Sequence, residues 1–393
     1  MALPRSPDLT RALRPAWAEI DLNAIYDNTR ALLGLLAPGT RFMAVVKADA
    51  YGHGAIEVGR AALEAGAWGL GVATVDEGVE LRRAGLRVPV LLLGATLPDE
   101  AAPAVEHDLA VTVAGLDAAR AVSQAAGRSG RLGRIHLKID TGMGRIGAQP
   151  REAAALAREA GALPHVVLEG CFTHLATADE ADLGPARDQL RTFRAVLDAI
   201  GAAGIAPGLR HAANSAAVLA LPDAHLDLVR CGIALYGILP APHLAGRTRL
   251  RPAMRLCARV THTKRVPAGT PVGYGRAYRA PGETTIATIP AGYADGYPRL
   301  AGGSAHVVLR GRRLPTVGRV SMDQLTVDAG DVPVAIGDEV ELWGDGVPVD
   351  EVAAAAQTIS YEVLARVSRR VPRVFLRDGR AHRVRTLLDP DGG

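Results

Sequence analysis

A (β/α)8 barrel followed by a smaller, mainly β domain is the fold class this sequence predicts, and three observations predict it. Eight short β-type runs between about 40 and 238 alternate with Ala/Leu/Arg-rich stretches of helical periodicity. Polar residues stand at the ends of those runs, where barrels gather their chemistry. After about Pro240 the texture changes to Val, Thr, Gly and Pro in short runs separated by turns. A chain of 393 residues has room for both units.

The barrel strands are expected in FMAVVKA, WGLGVAT, PVLLLG, LAVTV, IHLKID, VVLEGCFTH, LRHAAN and LVRCGIALYG. Between them, segments such as IEVGRAALEAG and REAAALAREAGA space apolar residues as one face of a helix. A doubly wound sheet would give a similar alternation. Residues 1–12 read as a loose tail, 13–240 as the barrel and 241–393 as the mainly β unit. WAEIDLNAIYDNTRALLG, at 17–34, holds a strand and then an Asp- or Asn-capped helix before the first barrel strand; the strand near 16–21 is a candidate member of the β unit's sheet. A single late helix is expected near DEVAAAAQTISYEVLARVSRR.

Composition excludes several classes. With 48% apolar and 22% charged residues the chain is an ordinary globular protein. The net charge of +4 comes from nearly matched acids and bases, with no basic run interleaved with aromatics, so a nucleic-acid footprint is not expected. No apolar stretch reaches membrane-spanning length, and the N-terminus lacks a signal-peptide core. Cys171, Cys231 and Cys257 match neither a disulfide framework nor a zinc pattern and fit reduced thiols in a cytoplasm. No histidine has metal-ligand spacing to another ligand, so no catalytic metal is expected.

Lysine usage is the informative bias. Only Lys47, Lys138 and Lys264 are lysines; arginine serves wherever a generic cation is needed. A lysine at the end of an apolar strand is commonly a snorkelling surface charge. Under this bias, however, it points to a required primary amine, because a guanidinium cannot serve as a neutral nucleophile. The strand ends bring together Lys47, Lys138, His174, Asn214 with Ser215, and Arg230 with Gly232. The loops after strands seven and eight, a habitual phosphate site in barrels, are NSAA and RCGIALYG. There Ser215 offers a hydroxyl, while Gly232 and Ile233 offer backbone N–H groups. A desolvated amine attacks an aldehyde to form a Schiff base, and an aldehyde beside a phosphate points to pyridoxal phosphate, with sugar-phosphate aldolase chemistry as the rival.

A decoy competes with this reading. Residues 142–147, GMGRIG, match a dinucleotide-binding glycine pattern, with Glu169 at the distance of a ribose ligand. Pro150, however, belongs in the first turn of the following helix, so that helix starts after the glycines and its N–H groups miss a pyrophosphate on them. In the β unit, GYGRAY, GYADGYP and SYEVL set tyrosines in or beside tight loops. Hairpin packing explains any one of them; three loops together suggest function.

AVVKADAYGHG, HLKIDTGMGRIG, FTHLATADE, HAANSAAVL, VRCGIALYG, GYGRAY, IPAGYADGYPR and GRVSMDQ together resemble the bacterial alanine racemases across nearly the whole chain. The resemblance implies a homodimeric, cytoplasmic pyridoxal-phosphate enzyme that interconverts L- and D-alanine and supplies D-alanine for peptidoglycan. It implies that Lys47 holds the cofactor covalently, that Tyr51, Ser215, Gly232, Ile233 and Tyr361 bind its phosphate, and that His174 lies against its ring. Arg230 would face the ring nitrogen, supported by His211. Arg145 and the Met322 N–H would meet the substrate carboxylate, and Lys138 corresponds to a position that is often carbamylated. Tyr274 of the partner subunit would be the second base, while Tyr293, Arg299, Arg319, Asp179 and Ile359 would line the access corridor. Ser321 and the longer N-terminal tail depart from the common pattern outside this set.

Racemisation needs two acid–base groups, because one fixed base cannot reach both faces of a carbon. The resemblance assigns Lys47 to the D-isomer's proton and Tyr274 to the L-isomer's. The competing readings are a racemase of broader specificity, a non-catalytic pyridoxal-phosphate carrier and a decarboxylase of basic amino acids. The C-terminal tyrosine loops argue against the carrier; Arg230, standing where a carboxylate would be expected, argues against the decarboxylase. Asp49 and His53 receive no role from the sequence.

Overall fold

The computed structural model describes residues 14–389. The expected loose tail lies outside the described residues. The described residues open with β1 (Ala16–Asp21), which turns directly into the helix Leu22–Leu33. Asp21 caps that helix, its carboxylate accepting from the Ala24 N–H at 3.0 Å.

Each run read as a barrel strand is one: β2 (Arg41–Val45), β3 (Gly69–Val72), β4 (Val90–Leu92), β5 (Val111–Val113), β6 (Gly133–Lys138), β7 (Val166–Phe172), β8 (Leu209–His211) and β9 (Leu228–Cys231). Neighbouring strands are parallel in two groups of four, β4-β3-β2-β9 and β5-β6-β7-β8. The Leu91–Ala110 bridge joins β4 to β5, and the Arg230 N–H donates to the Ala213 carbonyl at 3.0 Å across the β8/β9 seam. The sheet therefore closes into a barrel. Alanine lets the outer helices pack closely: Pro150–Gly161 buries Ala153, Ala157 and Ala160, one stripe at helical spacing.

The second unit adds β10 (Met254–Arg259), β11 (His262–Val266), β12 (Pro271–Val272), β13 (Tyr278–Arg279), β14 (Thr284–Ile289), β15 (His306–Leu309), β16 (Arg312–Val317), β17 (Leu325–Gly330), β18 (Glu339–Trp343), β19 (Arg373–Arg377) and β20 (Arg380–Arg385). Its main sheet runs β11-β14-β17-β16-β15-β18-β10-β1-β19-β20. β1 is thus an inner strand there, antiparallel to β10 and parallel to β19. This strand thus lies in the β unit's sheet before the helix crosses to the barrel.

Glu19 on β1 and Glu339 lie close enough to Cys257 to suggest metal ligands, but Arg255 pairs with Glu19 at 2.7 Å and with Glu339 at 3.9 Å. A guanidinium already balances these carboxylates. All three cysteines are free and buried, and burial raises the Cys171 thiol to about 12.

The late helix differs from expectation. It is two short helices, Val349–Ala355 and Ser360–Ala365, broken where Gln357 takes a left-handed φ of 56°. Side-chain bonds from Thr358 to Glu362 and from Ser360 to Asp350 compete with helix continuation. The break carries Ile359 and Tyr361 to the barrel mouth.

Candidate active site

A cavity of about 550 Å³ opens at the C-terminal ends of the barrel strands and is capped by the Ile359–Tyr361 turn. Lys47, Tyr51, Lys138, Arg145, His174 and Asp179 line one part of it. Asn214, Ser215, Arg230, Gly232, Ile233, Ile359 and Tyr361 line it as well. His211 lies behind Arg230, its Nδ1 accepting from Arg230 Nη1 at 2.8 Å.

The segment carrying Lys47 is unusual. Ala48, Asp49, Ala50 and Tyr51 all adopt left-handed conformations, with φ of 53°, 52°, 53° and 52°. Each costs an L-residue about 1–2 kcal/mol, so the turn needs external support. Glu77 supplies some of it: one carboxylate oxygen accepts from the Ala48 N–H and the other from the Ala73 N–H, both at 2.7 Å. Asp49 supplies more, accepting from the Ala55 N–H at 2.9 Å and pairing with Arg385 of β20. That pairing, with Arg373 close by, holds the Asp49 carboxyl below its usual range despite burial. His53 completes the clamp, Nδ1 donating toward the Ala50 and Tyr51 carbonyls at 3.1 and 2.9 Å. Asp49 and His53 therefore hold the turn that presents Lys47 and Tyr51. The only local signal was the glycines at 52 and 54, both with positive φ.

At one wall of the cavity, Ser215 Oγ accepts from the Gly232 N–H at 2.9 Å and the Ala234 N–H at 3.3 Å. The Tyr51 hydroxyl lies so close to Gly232 that a Cβ there would stand 2.5 Å from it. Tyr361 faces Tyr51 with ring centroids 6.2 Å apart. Asn214 lines the cavity but also caps the helix Ser215–Ala220, accepting from the Ala217 N–H at 3.0 Å. That cap fixes the start of the segment bearing Ser215.

The other wall is strongly cationic. Burial, then Arg230 and Arg145, lower the Lys138 amine to about 8. Burial, then Arg145, also lowers Lys47, against an opposing pull from Glu77. His174 falls to about 3 through burial and the charges of Arg230 and Lys138. Arg230 is buried and fixed by the Thr173 and Ala212 carbonyls at 2.8 and 3.1 Å. Its guanidinium and Lys138 Nζ both lie over the Phe172 ring, at 5.2 and 5.3 Å.

Tyr274, Met322, Tyr293, Arg299 and Arg319 stand elsewhere. They lie on the β unit, and none lines this cavity. Tyr274 is 71% exposed and Met322 52% exposed. Arg319 packs beside Gly275, and the Tyr293 N–H donates to the Ser321 carbonyl at 3.1 Å, so these loops form one surface. The glycine-rich decoy is a loop closed by Asp140, which accepts from the Gly142 and Gly144 N–H groups at 3.0 Å each. The next helix begins at Pro150, and Glu169 faces Arg134 and His136 rather than the loop.

A desolvated amine, a hydroxyl-lined cradle that only glycine leaves open, and a surplus of cations fit an anionic aldehyde-phosphate. Fold and site together define a barrel-type enzyme whose amine and phosphate cradle suit pyridoxal phosphate. The profile described as "Alanine racemase, N-terminal domain" matches residues 20–240, and "Alanine racemase, C-terminal domain" matches 253–375. An alanine racemase of Desulfovibrio desulfuricans is 48% identical over 92% of this chain and 98% of its own length. One from Symbiobacterium thermophilum is also 48% identical, over 92% of this chain and 97% of its own. The solved alanine racemase of Clostridium difficile 630 superposes with a TM-score of 0.92 at 38% identity, covering 95% of this chain and 99% of that one. That of the D-cycloserine producer Streptomyces lavendulae gives 0.89 at 44% identity, covering 93% and 97%.

The chain belongs to the alanine racemase family. It is an isomerase that interconverts L- and D-alanine with pyridoxal phosphate. Among the described residues no helix is long and apolar enough to cross a membrane.

Proposed function

We propose that the reaction runs by two bases, Lys47 from one subunit and Tyr274 from a second copy of the chain, and that its physiological output is D-alanine for peptidoglycan. The observation that carries this reading is the separation of the two residues: Lys47 lines the barrel-mouth cavity, while Tyr274 stands exposed on another surface. Exposed Tyr274, Tyr293 and Met322 suit a face that covers another subunit's cavity.

Lys47 would hold the cofactor covalently, and Tyr51, Ser215, Gly232, Ile233 and Tyr361 would hold its phosphate. When bound, the cofactor withdraws electrons from the substrate's α-carbon and makes its proton removable. Lys47, with its charged form disfavoured by burial and Arg145, can serve as the neutral amine that takes the proton on one face. Tyr274 would hold or return the proton on the opposite face.

His174 would lie against the ring and Arg230 at the ring nitrogen, backed by His211. A guanidinium has no acceptor site, so it cannot take up a proton from that nitrogen. Arg145 and the Met322 N–H would receive the substrate carboxylate. Asp179, Ile359, Tyr293, Arg299 and Arg319 would line the access corridor. Lys138, crowded by Arg230, Arg145 and Lys47, would gain most from carbamylation, which turns a cation into an anion able to orient Arg145.

Incubation with L-alanine, L-serine and L-lysine, followed by chiral separation, tests the reading. D-alanine as the dominant product supports it. Faster racemisation of serine or lysine would favour the broader-specificity alternative, and loss of the amino acid as an amine would favour decarboxylation.

A further inference from the structure

We propose that Arg230, His211, His136 and Glu169 form one directed hydrogen-bond relay through the barrel, with His136 and Glu169 acting as positioning residues for the Arg230 guanidinium. The proposal rests on the reading that Arg230 faces the ring nitrogen. The contacts are continuous: Arg230 Nη1 to His211 Nδ1 at 2.8 Å, His211 Nε2 to His136 Nδ1 at 2.9 Å, and His136 Nε2 to Glu169 Oε2 at 3.3 Å.

Direction follows from donor inventory alone. Arginine only donates, so His211 Nδ1 accepts and His211 carries its proton on Nε2. That proton is donated to His136 Nδ1, which leaves His136 protonated on Nε2 and donating to the carboxylate. Neither ring can be an imidazolium without placing two N–H groups against each other. Every dipole in the chain therefore points the same way, from guanidinium to carboxylate. The far end is itself anchored, with Arg134 Nη1 donating to Glu169 Oε1 at 3.1 Å.

The fold is shaped around this chain. The β6/β7 register passes from Ile135↔Leu168 to His136↔Gly170, so Glu169 sits on a bulge. Such bulges re-aim a side chain beside an active site. Gly170 leaves the space the ring needs, because a Cβ there would stand 2.5 Å from His136 Nδ1. Phe172 stacks on His211, with planes 3° apart and centroids 4.7 Å apart, which fixes that ring's plane. Arg230 is buried close to Lys138, so a relay ending on a carboxylate offsets like-charge repulsion at the cavity floor. A cofactor-facing Arg230 left without this chain would lose its orientation and part of its charge compensation.

The test is ring-nitrogen NMR of the holoenzyme labelled with [15N]histidine, with the signals assigned through variants. His136 and His211 are expected as neutral Nε2–H tautomers; an imidazolium or an Nδ1–H form of either overturns the relay. His136→Asn keeps an acceptor for His211, with Oδ1 at the place of Nδ1, whereas His136→Leu keeps none. The Leu variant is expected to lose about tenfold or more in kcat with little change in KM. It should also form more pyruvate by transamination per racemisation event, while the Asn variant recovers most of both. Equal losses in the Leu and Asn variants, or an unchanged product partition in Leu, would overturn the positioning role. Failure of Arg230→Glu to alter that partition would instead remove the reading of Arg230, and the tautomer result would still decide the relay.

Discussion

Replacing Asp49 tests the claim that Lys47 is presented by a strained turn under external restraint. Four consecutive left-handed residues carry about 4–8 kcal/mol of conformational cost at 1–2 kcal/mol each. Asp49 opposes that cost through its pair with Arg385 and its bond from the Ala55 N–H. Removing one partner of a buried ion pair costs about 3–5 kcal/mol. Both side chains keep some solvent contact, 17% and 20%, so screening brings the figure for Asp49→Ala to about 2–4 kcal/mol. If that loss falls on local opening, amides of the 47–55 segment should exchange roughly 30- to 1,000-fold faster. Hydrogen-exchange mass spectrometry of peptides covering the segment, alongside racemase activity, is the assay. Asp49→Asn keeps an acceptor for Ala55 and should fall between wild type and Ala. Unchanged exchange in the Ala variant would refute the clamp, even if activity fell.

Three further perturbations have defined directions. Arg230→Glu should lower racemisation and raise transamination, measured as D-alanine against pyruvate, because a carboxylate at that position can stabilise a protonated ring nitrogen. Gly232→Ala should weaken pyridoxal phosphate binding at least tenfold in an absorbance titration, since its Cβ would meet the Tyr51 hydroxyl at 2.5 Å. His53 falls to about 4 through burial, while its unfolded value is near 6.5. The unfolded chain therefore binds more protons between those values, so stability drops as pH falls from about 6.5 to 4, by about 3 kcal/mol from this residue. Denaturant titrations should show a flatter profile for His53→Asn than for wild type across that window; His174 and His211 contribute equally to both.

Much of the fold was legible because it depends on local pattern. Eight apolar runs mark the barrel strands, and Pro150 marks where the helix after GMGRIG begins. Lys47, Arg230 and the Ser215–Gly232 cradle were legible because barrel chemistry collects at strand ends. What escaped depends on distant pairing. Nothing near residue 49 announces Arg385, which arrives from the last strand, and nothing in VVLEGCFTH shows that Glu169 sits on a bulge facing His136. The late helix reads as continuous in the sequence because its apolar spacing runs on across Gln357 and Thr358, whereas side-chain competition breaks it.

The shared active site is tested most directly by mixing Lys47→Ala with Tyr274→Phe after each is shown to be inactive alone. In a hybrid dimer, one barrel keeps Lys47 and receives an intact Tyr274 from the other chain. With full subunit exchange at equal concentrations, half the dimers are hybrids with one working site of two, so about a quarter of wild-type activity should return. Full exchange, verified by mass-tagged chains, with no recovered racemase activity would show that Lys47 and Tyr274 do not serve a common site across subunits.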